Sequence, residues 1–148
     1  MDFAEAEKWV KKALHAWEVA NVLADYRKEN ELLYRETSSK LTSPVTQIYY
    51  SAFYCATALL GLEGLRFKKH SAVKGEFGRI IVKQKKFPKK YGKFFNRMLE
   101  LRKRSDYSPE ALILTRTELK SLLARSNMFI KASNRYIQKK QRKTSCIK

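Results

Sequence analysis

Cysteine and histidine are scarce in this chain of 148 residues, which has two of each. Cys55 sits inside an apolar stretch and Cys146 near the C-terminal end, so no disulfide framework can be read and a reducing cytoplasmic setting is expected. With His15 and His70 as the only imidazoles, and no C-x-x-C or H-E-x-x-H spacing, no metal site and no cofactor are expected. The five glycines and three prolines form no glycine-rich phosphate loop, and no internal repeat is present. The longest apolar run, 52–62, is far shorter than the roughly 20 residues that a membrane-spanning helix needs, so no membrane partner is expected. Nor does any stretch alternate apolar and polar residues as a half-buried strand would, which leaves helices as the expected elements.

What the chain does have is apolar bulk and positive charge. A hydrophobic content of 44%, with eight Phe, eight Tyr and two Trp, can build a core at this length. The net charge of +18 is unevenly spread: residues 65–104 carry 15 Lys/Arg against two acids, and 138–148 add five basic residues. The rest of the chain sums to zero. Charge so localised points to an anionic partner.

Apolar residues at Phe3, Ala6, Val10, Ala13, Trp17 and Ala20 predict a first helix over 3–28, capped by Asp2 with Glu5 three residues on. Ser43-Pro44 opens a second, whose stripe Val45, Ile48, Tyr49, Ala52, Phe53, Ala56 and Leu59 runs to Gly61 and Gly64. A short third helix is expected after Ser71 as cap, with Val73, Phe77, Ile80 and Ile81 inward. Tyr91, Phe94, Phe95, Met98, Leu99 and Arg102 share one face of a fourth, which Pro109 should stop near Ser105. Ser108-Pro109-Glu110 is read as the start of a fifth. The expected fold is all-α, an up-and-down bundle of about five helices over 1–137, followed by a frayed basic tail, 138–148.

The segment "RKRSDYSP", 102–109, carries the most chemistry. Arg102 stands one helical turn before Asp106, close enough for the carboxylate to orient the guanidinium as a phosphate clamp. The bland alternative is an Arg–Asp pair that closes the turn, with Tyr107 packed on the core. His70, beside Lys68 and Lys69, should have a lowered pKa and stay neutral, free either to accept a proton or to cap a carbonyl. For a bound polyanion, Lys68, Lys69, Lys83, Lys85, Lys86, Lys89, Lys90, Lys93 and Arg104 are the expected backbone contacts. Tyr49, Tyr50 and Tyr54 are the expected stacking faces.

Taken in order, "IYYSAFYCATALLGLEG", "KKHSAVKGEF" and "LRKRSDY" resemble the HEPN superfamily, in the branch that has an Arg-x-x-x-Asp-Tyr corner. The resemblance covers about residues 4–137. It implies a five-helix bundle, often a homodimer, in RNA-directed defence and toxin–antitoxin systems, frequently beside a small nucleotidyltransferase. Many such proteins are metal-independent ribonucleases, in which an Arg followed four to six residues later by His serves the cleft. Arg102 matches that Arg, but Tyr107 stands where the His would be. The resemblance therefore implies RNA binding through a basic cleft; the alternatives are a ribonuclease toxin using Arg102 with His70 or Tyr107, and a non-catalytic interaction module docking a nucleotidyltransferase.

Overall fold

In the computed structural model, which describes residues 1–26, 33–36 and 43–147, five helices surround one core. They are α1 (Phe3–Tyr26), α2 (Pro44–Leu62), α3 (His70–Glu76), α4 (Lys89–Tyr107) and α5 (Arg116–Ile147), joined by two short strands, β1 (Leu33–Glu36) and β2 (Leu112–Thr115). The fold is an all-α helical bundle. At its centre α2 packs against α1, α3, α4 and α5, as expected of a helix apolar on nearly every side.

Local chemistry sets several boundaries. The Asp2 carboxylate accepts from the Glu5 N–H at 2.7 Å, and Ser43 Oγ accepts from the Thr46 N–H at 3.0 Å ahead of Pro44. Past α2, Gly64 takes φ 81°, a left-handed conformation that costs glycine little. The third helix departs from expectation. Lys69 occupies its cap position without a side-chain bond, so Ser71 lies inside it. It then widens into a π-helical segment, Phe77–Val82, whose exit is marked by five-residue hydrogen bonds from the Lys83 N–H to Gly78 O (2.8 Å) and the Lys86 N–H to Ile81 O (2.9 Å).

The two strands correct the strand-free reading. They pair antiparallel, Leu33 with Thr115 through Glu36 with Leu112, and Leu112 and Leu114 turn inward while Ile113 stays exposed. Strand pairing uses up the residues read as the first turn of α5. That helix therefore begins at Arg116, behind Thr115, whose Oγ1 accepts from the Glu118 N–H at 3.0 Å while Glu118 reaches back to it. Arg116 Nη1 donates to Ala24 O at 2.8 Å, and its guanidinium lies 5.6 Å from the Tyr34 ring, binding the strands to the end of α1.

Past residue 137 the basic stretch continues α5, which runs to Ile147. Its anchor is Glu63 at the end of α2, which accepts from Lys140 Nζ (2.6 Å), Lys86 Nζ (2.9 Å) and Tyr136 Oη (3.0 Å). Burial alone would raise the Glu63 carboxyl, but these hydrogen bonds and the Lys140 charge outweigh it and bring the pKa down to about 2. Beneath lies an aromatic core in which Phe77, Phe94, Phe95 and Phe129 are fully buried, with Phe129 against Tyr91 and Phe87.

Candidate functional site

Where the last turn of α4 meets the first turn of α3, chain topology brings together residues far apart in sequence. Arg102 Nη1 lies 3.0 Å from His70 Nδ1, and its Nε lies 3.4 Å from Asp106 Oδ2. The guanidinium carbon stands 4.7 Å from the centre of the Tyr49 ring and 5.1 Å from that of Tyr50. Tyr49 Oη is 2.6 Å from the same His70 nitrogen, and Phe53 stacks on the imidazole at 4.1 Å. The Arg102 side chain is only 19% exposed and Asp106 only 7%, so the pair is a partly desolvated one rather than a surface ornament.

These contacts fix the state of the histidine. A guanidinium always donates, so Nδ1 must accept and the neutral ring carries its proton on Nε2. Burial, then the Arg102 charge, lower the His70 pKa. The sequence assigned that lowering to Lys68 and Lys69, but both are exposed, and the effective cation is Arg102. Burial pushes the Tyr49 phenol up to about 12 against the opposing charge and hydrogen bond of Arg102, so it stays protonated.

His70, Ser71, Leu99, Arg102, Lys103, Asp106 and Tyr107 line a cleft of about 240 Å³. It is smaller than the roughly 300–1,000 Å³ typical of small-molecule sites, which suits one charged group of a larger ligand. Tyr107 is not packed on the core: at 82% exposure it forms the rim, because α4 ends there and Ser108 turns to extended backbone. Tyr49 is fully buried and offers no stacking face; Tyr50 and Tyr54 remain half-exposed.

The lysines divide between two places. Lys68 and Lys69 lead into α3 beside His70, and Arg104 is exposed on the last turn of α4. Lys83, Lys85, Lys86 and Lys89 instead surround a second open depression of about 720 Å³ with Phe87 and Pro88. From Lys89 to Arg102 the rise along α4 is about 20 Å. Lys90 sits over the Tyr91 ring at 5.2 Å, and Lys93 is exposed between the two ends. Lys86 is committed to Glu63, and Lys85 holds φ 58°, unusual for a residue with a side chain. Phe53, Ser71 and Lys103 gain no place in the site from sequence, where Phe53 reads only as core and Ser71 only as a cap; a helix-entry Ser beside a candidate His is the available signal for Ser71.

Among the described residues, no three His, Cys, Asp or Glu side chains gather as a metal site requires, and no helix is long and apolar enough to cross a membrane. Residues 6–136 match the HEPN domain family. A Thermotoga maritima protein, named only as a UPF0332 protein, is 40% identical over 101 residues, 68% of this chain and 76% of its own. Two Methanocaldococcus jannaschii proteins named as candidate toxins are 29% and 31% identical over 93 and 86 residues. Those matches span 63% and 58% of this chain and 63% of each relative's length.

Proposed function

The chain belongs to the HEPN domain family, and from that premise we propose that it is a toxin-type member that takes RNA into the Arg102 cleft and cleaves it there without a metal. The observation that carries the reading is the 3.0 Å contact between Arg102 and His70, residues 32 positions apart in sequence. An Arg four to six residues before a His is the pair this family's ribonucleases use, and here α3 supplies the imidazole that α4 lacks.

The chemistry follows from the hydrogen bonds. A phosphodiester outcompetes a neutral imidazole for a guanidinium, because it adds the Coulomb attraction of a full negative charge and can accept two parallel hydrogen bonds. Once Arg102 turns to the phosphate, His70 Nδ1 is left with Tyr49. The ring can then carry its proton toward Tyr49 Oη, freeing Nε2 as the base. Nε2 takes the proton of the 2′-hydroxyl, the 2′-oxygen attacks phosphorus, and Arg102 stabilises the phosphorane. The bond to the 5′-oxygen breaks, the imidazolium returns its proton to that oxygen, and a 2′,3′-cyclic phosphate remains. Asp106 holds the guanidinium from behind.

Lys68, Lys69 and Arg104 beside the cleft, and Lys93 further along α4, are the backbone contacts in this reading, and Tyr50 and Tyr54 offer ring faces to bases. The protein would act as a homodimer, doubling a site that a single Arg leaves sparse. A second reading is favoured by Tyr107, whose exposed phenol on the rim suits an interaction module covered or modified by a partner nucleotidyltransferase.

The test is incubation with total RNA in chelator. Wild type should yield fragments ending in cyclic phosphate, while Arg102→Ala and His70→Ala should yield none. Retention of RNA without fragments would reduce the reading to binding, and undiminished cutting by Arg102→Ala would remove it.

A further inference from the structure

The two tyrosines beside the cleft belong to a longer surface, which the scheme above does not use as a whole. Along one side of α2 the rings of Tyr50 and Tyr54 stack at 5.7 Å, and Tyr54 meets Trp9 of α1, also at 5.7 Å. Arg102 lies over the first ring of this row. Lys12 Nζ lies over the last two, 4.8 Å from Tyr54 and 5.2 Å from Trp9. A continuous aromatic ledge thus leads away from the phosphate clamp and ends under a second cation. All three rings keep part of their surface in solvent, and Lys12 is exposed.

The alternation of cation, rings and cation matches one class of ligand. A single-stranded nucleic acid presents a phosphate, an unstacked base and a further phosphate at short intervals, whereas a duplex hides its bases. We infer that Trp9, Tyr54 and Lys12 form a base-stacking subsite, in which an unpaired RNA base lies on the Trp9–Tyr54 ledge while Lys12 swings from the rings to a neighbouring phosphate. The exchange is favourable because a solvent-exposed cation over a ring is held more weakly than a base stacked on it. A second copy of this chain is the poorer occupant of the ledge itself: a two-fold interface centred there would set Lys12 of one copy against Lys12 of the other. The inference rests on the RNA reading and adds to it that the substrate is unpaired at the site, with Trp9 as a residue that discriminates.

Two observables separate the inference from its premise. In fluorescence titrations with a single-stranded oligonucleotide, the wild type should be quenched, and so should Trp17→Phe, which keeps only Trp9. Trp9→Phe should bind with little quench. Affinity for that strand should exceed affinity for a duplex or an abasic strand of equal length; Trp9→Ala should lower it about ten-fold and leave the abasic strand unaffected, whereas Lys12→Gln should weaken both strands. If the single strand binds through Arg102 but Trp9 is not quenched and the abasic strand binds equally well, the ledge is no subsite and the RNA reading stands. If no RNA form binds, both fall. A change in sedimenting mass in Trp9→Ala without a change in RNA affinity assigns the ledge to self-association and overturns the inference.

Discussion

Arg102 makes three kinds of contact at once: a hydrogen bond to an imidazole, an ion pair to a carboxylate and a stack on phenol rings. Lysine keeps the charge but has neither the fork nor the plane. Arg102→Lys should therefore retain some RNA while cleavage falls on the order of 100-fold or more, as for loss of a transition-state donor; an undiminished rate would deny the guanidinium its role. His70 should titrate below its ordinary 6.5, since burial and Arg102 both favour the neutral ring. The rate should accordingly rise with pH on the acid side of that value and flatten by neutrality, as a base demands. Arg102→Gln should move the His70 pKa upward in an NMR titration; an unchanged value would mean that the guanidinium does not govern the ring. The Arg–Asp pairing was legible from four-residue spacing alone. The imidazole was not, because a contact across 32 positions belongs to the packing of two helices and leaves no local pattern.

Among the elements, the joint at Glu63 holds α2, the turn after the π-helical segment and α5 together. Its carboxyl falls to about 2 in the folded protein, below its unfolded value, so the stability it contributes is present above about pH 4.5 and is lost as pH falls toward 2. After allowance for partial solvent access the contribution is on the order of 2 kcal/mol. Urea midpoints should drop through that window, and Glu63→Gln should flatten the drop. Backbone conformation makes a paired prediction of opposite sign. Gly64 and Lys85 both sit at positive φ, 81° and 58°. Gly64→Ala should destabilise by about 1 kcal/mol, although open space surrounds the site, and Lys85→Gly should not destabilise. Equal losses at the two positions would refute the conformational argument. Starts such as Ser43-Pro44 were readable because capping is local chemistry. The strand 112–115 was not, since four residues hardly establish an alternation and its partner, 33–36, lies on the far side of three helices in sequence. The motif Thr115-Arg116-Thr117-Glu118 did carry the true start of α5, overshadowed by Ser108-Pro109.

Over the whole molecule, the charge that appeared as one run in sequence is spread along both ends of α4, and one of its lysines is neutralised in place. Neutralising Lys83, Lys85 and Lys89 together, as glutamines, should weaken RNA binding and make its logarithmic salt slope shallower by about 2, the amount for three phosphate contacts on a single strand. Cleavage at saturating RNA should persist, because none of the three lines the Arg102 cleft and Lys89 lies about 20 Å along α4 from Arg102. An unchanged slope would remove them from the binding path. Lys86→Ala should instead show as lost stability. The direction in which this lysine turn faces is set upstream, by the wide coil of Phe77–Val82. A π-helical turn takes in one residue more than an α-turn, and each residue of an α-helix advances the chain by about 100°. Deleting Gly78 alone would tighten that coil and turn Lys83 and the residues just after it by about 100° about the segment's own axis, so one residue sets which way this cationic corner looks.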